Sequence, residues 1–146
     1  MIEKESKKYD VIVVGGGPAG SSAAIMCAQS GLSVCIIERE QFPRYHPGET
    51  VHPGIEPLLI QLGIFDKVLS AGFLRHKGIW TTWNTGSQNH HRQPQFQSFG
   101  ENNGEAWKGF QLWRSKFDTI LLNRAKELGA ELIQPCQVFR PILSDI

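Results

Sequence analysis

Residues 9–38 alternate between a short β-branched run, a glycine cluster, a stretch of small residues and a second β-branched run. Tyr9, Asp10, Val11, Ile12, Val13 and Val14 read as a strand covered on both faces, ending at Gly15, Gly16 and Gly17. From Pro18 to Ser30 small residues predict a helix lying close to a sheet, stopped by Gly31, and Ser33 to Glu38 reads as the next strand. A strand, short helix and strand in this order predict a right-handed parallel unit.

The pattern then changes. Pro43, Pro47, Pro53 and Pro57 keep much of residues 39–57 extended. Ile55, Leu58, Leu59 and Leu62 recur at helical spacing, Gly63 closes that segment, and Phe65 to Leu69 extends it after a turn. Over residues 73–113, Ile79, Trp80, Trp83, Trp107, Phe110 and Trp113 are candidate strand positions of a small antiparallel ribbon. The tryptophans are expected to pack between ribbon and sheet rather than to line a pocket. Residues 84–109, rich in Gln, Asn, His and Gly, are expected to form a long exposed connection.

Ser115 with Asp118 three residues later resembles a capping box, and Phe117, Ile120, Leu121 and Leu128 fall on one helical face before Gly129. Ala130 to Val138 reads as a third strand, expected beside the first. The fold class is therefore α/β: a Rossmann-like βαβ unit with a parallel sheet and a small antiparallel ribbon.

Composition narrows the function. With 15 Lys+Arg against 14 Asp+Glu among 146 residues, no basic excess points to nucleic acid or an anionic membrane. The longest early apolar run, Val11 to Val14, is far too short for a membrane span, and the charged residues 3–8 do not form a signal peptide, so the cytoplasm is the expected location. Cys27, Cys35 and Cys136 have neither disulfide arithmetic nor C-x-x-C spacing and are expected to be buried thiols. His90 and His91 point opposite ways on a strand and lack a third ligand, so no metal site is expected.

The chemistry lies in Gly15-x-Gly17-x-x-Gly20, set between strand and helix, with Glu38 eighteen positions beyond Gly20 at the end of the next strand. Gly15 permits a tight turn, Gly17 lets a pyrophosphate approach the backbone, and Gly20 lets the helix pack closely. The helix start would hold the phosphates, and the Glu38 carboxylate would accept from ribose hydroxyls and repel a 2′-phosphate. A glycine turn serving packing alone is the competing reading, disfavoured because strand, helix and acid agree. These glycines do not separate FAD from NAD.

The string from Tyr9 through Pro18, Ala19 and Gly20, followed by Glu38 and Arg39, resembles the start of FAD-dependent oxidoreductases of the para-hydroxybenzoate hydroxylase structural class. Phe42-Pro43-Arg44-Tyr45-His46-Pro47-Gly48-Glu49, Leu58-Leu59, Leu62-Gly63 and Trp113-Arg114-Ser115-Lys116-Phe117-Asp118 are similar to the flavin-dependent halogenase and geranylgeranyl reductase branch. That branch includes flavoproteins that mature quinone cofactors in partner enzymes. The resemblance covers nearly the whole chain, residues 1–146 as one FAD-binding domain.

The resemblance implies FAD as cofactor, with Arg39 near the adenosine, Arg44 near the pyrophosphate or flavin edge, and Gly48 with Glu49 beside the isoalloxazine. It places Arg114 at the diphosphate region and the Val138 backbone at the adenine. It implies an oxidoreductase or monooxygenase supplied by NAD(P)H or a flavin reductase, with no side chain here assignable as general base. Where the halogenases carry a lysine, this chain has His76, with Lys77 one step later. The second flavin motif, Gly-Asp followed by small residues, has no counterpart, so a truncated N-terminal portion is expected, with the C-terminal half of the architecture missing. The alternative from another class is a non-catalytic flavin- or partner-binding module, and an NAD-only dehydrogenase is a third reading.

Overall fold

A computed structural model describes residues 7–83 and 93–142. Its central sheet is parallel: β1 (Val11–Val14), β2 (Val34–Ile37) and β10 (Glu131–Ile133), in the order β1-β2-β10. β1 pairs with β2 from Val11 opposite Val34 to Val14 opposite Ile37, and β10 pairs with the other side of β2 from Glu131 opposite Cys35. The third strand thus lies beside the second, where the sequence reading placed it beside the first. It is also shorter than the run 130–138, and the chain leaves the sheet at Gln134. The following segment returns to β2 through one bond, from the Cys136 amide to the Glu38 carbonyl at 2.7 Å.

Helix α1 (Pro18–Gln29) makes the crossover between β1 and β2, and α4 (Arg114–Glu127) leads into β10. The two helices pack on one another, and the small residues Ser21 and Ala24, with Ile25, are fully buried in the contact. From α4 come Phe117, Leu121, Leu122 and Ala125, all buried. Burying the Phe and Leu side chains contributes roughly 1.5–3 kcal/mol each before entropy is counted. On the opposite face Cys35 of β2 is also buried, but β1 is open there. Ile12 and Val14 point to that face at 59% and 64% exposure, so β1 is a half-buried alternating strand and not one enclosed on both sides.

A second, antiparallel sheet has the order β3 (Glu49–Val51), β9 (Gly109–Leu112), β4 (Leu74–His76). Phe110 sits at its centre, opposite Val51 on one side and Arg75 on the other, with the Arg75 guanidinium 3.9 Å above its ring. Between β3 and β4 lie α2 (Glu56–Gln61) and α3 (Phe65–Ser70), which bury Leu59, Leu62, Ile64 and Val68. Leu58, grouped with the buried face by its spacing, is 57% exposed, because α2 is under two turns long and buries a narrow stripe.

The stretch 93–109 is not a plain connection. β5 (Gly78–Thr81) pairs with β6 (Gln95–Ser98), and β7 (Glu101–Asn102) forms a small hairpin with β8 (Glu105–Ala106). These elements lie at the surface, as the polar composition implies, and residues 84–92 with His90 and His91 lie outside the described residues. Trp80, Trp83, Trp107 and Trp113 are between 49% and 69% exposed and do not pack ribbon against sheet; Trp80 meets Phe96 on its own ribbon. Of the three thiols only Cys35 is buried, and Cys136 is exposed.

Gly20 shows how closely helix and strand approach. A Cβ there would be driven into the Gly15 carbonyl and lie 3.1 Å from the Val13 side chain. Gly20→Ala is therefore expected to destabilise the protein by about 3 kcal/mol or more. Gly54→Ala, where a Cβ would meet only the His52 ring at 3.6 Å, should stay within about 0.5 kcal/mol. Urea midpoints of the two variants check the contrast.

Candidate functional site

β1 and β2 end together, and the chain turns at their carboxyl edge. The Gly15 amide continues the ladder by donating to the Ile37 carbonyl at 2.8 Å, and the backbone then turns with φ +102° at Gly15. A side chain in that conformation would cost about 1–2 kcal/mol. Gly17 is the extended N-cap of α1 and offers no side chain to the helix start. Pro18 carries no N–H, and Ser21 donates to the Gly17 carbonyl at 2.8 Å. The Ala19 and Gly20 amides belong to the first turn, where the helix itself provides no acceptors. They sit at the positive end of a three-turn helix with no acidic residue in its first turn.

Glu38 closes the turn from beneath. It is 3% exposed, and its Oε2 accepts the Gly16 amide at 2.6 Å while Oε1 accepts the Glu40 amide at 2.8 Å. Burial pushes this carboxyl up, but the two amides and the Arg44 and Arg39 charges outweigh it and hold it below its ordinary 4.5. A carboxylate has about four lone-pair sites. Two are used here, so Glu38 keeps acceptor capacity. Ser21, fully buried, ties the turn to the helix by donating to the Gly16 carbonyl at 2.8 Å.

A cleft of about 360 Å³ opens at this edge, and Gly15, Gly17, Glu38, Arg39, Arg44 and Val138 all line it. Six residues expected from the sequence are thereby brought to one place. Arg39 is largely exposed and 3.4 Å from Glu40, and Val138 borders the cleft from the segment after β10. Arg44 is far more enclosed. Its Nη2 would lie 3.2 Å from a Cβ on Gly17, and its guanidinium stands 4.9 Å above the Phe42 ring. Glu40 at 3.8 Å and Asp118 at 4.0 Å surround it, His46 bonds to it, and its buried Nε has no acceptor among the described residues.

Gly48 and Glu49 line a separate cleft of about 540 Å³ with His46, Thr50 and Trp113. A Cβ on Gly48 would come within 3.0 Å of the Leu112 carbonyl, so a glycine lets β3 approach β9 there. Arg114 lines neither cleft; it holds Asp118 through two bonds of 2.6 and 3.0 Å and also bonds Glu49. Asp118, against the opposing effect of burial, and Glu49 push the Arg114 guanidinium up. Asp118 is 1% exposed and is not the partner of a cap at Ser115: the helix begins at Arg114 after Trp113, with no side-chain cap. Its spacing of four from Arg114 on a helix is the signal that reveals the pair. His76 ends β4 with both ring nitrogens buried and without a hydrogen-bond partner among the described residues, packed on Gly109 and edge-on to Phe99.

A larger hollow of about 690 Å³ lies elsewhere, beside Glu56, Arg75 and Trp107. Its arginine is already committed to Glu56 and to the Lys108 and Gly109 carbonyls, so we assign the site to the glycine cleft, where backbone donors are free. Among the described residues no three metal-ligating side chains cluster, and no helix is long and apolar enough to cross a membrane.

The parallel unit and its glycine mouth define a dinucleotide-binding domain. The family model described as FAD binding domain matches residues 8–138, and the chain belongs to that family. It is 37% identical over 138 residues to flavin-dependent halogenase armH4 of Armillaria mellea, covering 92% of this chain and 25% of that protein. It is 34% identical over 142 residues to the 1H-pyrrole-2-carbonyl-[peptidyl-carrier protein] chlorinase of Pseudomonas fluorescens, covering 89% and 32%. The myxobacterial chondrochloren halogenase CndH superposes with a TM-score of 0.75 at 31% identity, covering 85% of this chain and 28% of that one. Halogenase PltM in complex with phloroglucinol and FAD gives 0.75 at 25% identity, covering 95% and 30%. The chain thus spans about a quarter to a third of the length of these relatives. FAD is the cofactor of the domain. The residues present fit it: the turn lacks side chains where phosphates need backbone, and the unpartnered Arg44 Nε stands beside that turn.

Glu38 also sets an acid dependence. Its folded carboxyl titrates below 4.5, so its stabilisation is full above the unfolded value and is lost as pH falls through the folded one. Glu38→Gln should cost about 2 kcal/mol at pH 7 and progressively less as pH falls below 4.5, read from urea midpoints across that range.

Proposed function

We propose that this chain forms the adenosine and diphosphate part of the FAD site of a cytoplasmic oxidoreductase or monooxygenase of the halogenase-like branch. The observation that carries the reading is the convergence of Gly15, Gly17, Glu38, Arg39, Arg44 and Val138 on one cleft at the start of α1. The Gly17, Ala19 and Gly20 amides, next to Pro18, receive the phosphates, and Glu38 accepts from the ribose hydroxyls. Arg44 supplies positive charge beside the turn, Arg39 covers the adenosine, and the Val138 backbone meets the adenine. Gly48 and Glu49 border the isoalloxazine, and Arg114 supports the diphosphate region through its ion pairs. The FAD-binding domain includes residues 8–138.

Bound FAD supplies the redox chemistry, taking electrons from NAD(P)H or a flavin reductase and passing them to dioxygen or substrate. The chain's residues bind and orient it. Relatives named for a carrier-bound pyrrole, for tryptophan and for a phloroglucinol complex support an electron-rich aromatic substrate. His76 in place of the halogenase lysine favours oxygenation or reduction over halogenation.

The purified protein is expected to be yellow and to release a chromophore of FAD mass. By fluorescence titration Glu38→Gln should weaken FAD roughly tenfold, the value of a charge-assisted hydrogen bond. Colourless protein that takes up no added FAD, or tighter binding of NAD than FAD, overturns the reading.

A further inference from the structure

Asp118 is a buried acid in the second turn of a helix, and the binding scheme above gives it no contact with ligand. It is 1% exposed and lies beside Phe117, Leu121 and Leu122, where an unpaired carboxylate would be strongly disfavoured. Two arginines neutralise it from different sides. Arg114 grips both oxygens, at 2.6 and 3.0 Å, in a bidentate pair. Arg44 approaches Oδ2 at 4.0 Å from the loop that borders the glycine turn. The remaining neighbours are Glu40 and His46 on Arg44 and Glu49 on Arg114.

The geometry points to Asp118 as the positioning residue of the diphosphate site: its carboxylate, fixed by Arg114, draws Arg44 against Gly17 and holds it there. The inference rests on the FAD reading above. Asp118 is the buried carboxylate between the two guanidiniums, whereas Glu40 and Glu49 are 40% and 54% exposed, and the Arg44 side chain, only 13% exposed, stands beside the side-chain-free turn. Arg44's Nε, buried without an acceptor among the described residues, is a donor left over for an anion. Without the carboxylate the two guanidiniums repel each other across a poorly solvated gap, and Arg44 turns outward to Glu40, which is 40% exposed.

The test uses ADP, which carries a ribose and two phosphates, and adenosine, which carries the same ribose but no phosphate, each competing with FAD on the purified protein. Asp118→Asn should raise the ADP Kd about tenfold and change the adenosine Kd by less than about twofold. In an Arg44→Gln background, the further effect of Asp118→Asn on ADP should fall below about twofold, because the two residues act through one contact. Equal losses for ADP and adenosine, or an undiminished effect in the Arg44→Gln background, overturn the inference and leave Asp118 a core acid only. Should Asp118→Asn fail to fold, Arg44→Gln alone decides: an unchanged preference for ADP over adenosine sinks it. Wild-type protein that binds no FAD defeats the underlying reading instead, so the two failures are distinguishable.

Discussion

The Glu38 carboxylate holding the Gly16 amide is the contact on which the rest of the site depends. It joins the turn after β1 to the end of β2, and the backbone of the same residue donates to the Ile133 carbonyl of β10 and accepts from the Cys136 amide just beyond it. Three segments distant in sequence are therefore fixed relative to one buried side chain. The arrangement is favourable only because both carboxylate oxygens are hydrogen-bonded and two arginines lie within electrostatic reach. A carboxylate in this place serves shape and ligand chemistry together: it stiffens the mouth and presents spare acceptors to it.

The core of the fold was legible because its signals are local. The β-branched runs, the glycine triplet, the small residues of α1 and the face of Phe117 and Leu121 each specify an element without reference to distant parts of the chain. So were Gly15, Gly17 and Glu38 of the cleft, since a strand end, a helix start and an acid at the next strand end are brought together by the parallel unit itself, whereas Arg39, Arg44 and Val138 came from the resemblance. Strand order was less accessible. Whether the third strand joins β1 or β2 depends on where α4 packs, and the apolar stripe of α4 does not name its partner.

The misread residues share a cause. Tryptophans and Leu58 count as apolar in any periodic pattern, but a ribbon or a helix under two turns long has too little concealed surface to hide them. Asp118 was misassigned in the opposite sense, since a polar residue near a helix start satisfies a capping pattern whether or not it lies at the surface. Its true setting follows from a partner four residues away and another in a remote loop, and only the first of those is visible in one dimension.

The exposed apolar strip on β1 bears on how the described residues behave in water. Among the described residues Ile12 and Val14 form a wet hydrocarbon strip, and β1 occupies the margin of the sheet. Two such margins from separate molecules can zip together with their strips apposed. Dilution opposes this pairing, while sulfate and other strongly hydrated salts promote it by raising the cost of wetting hydrocarbon.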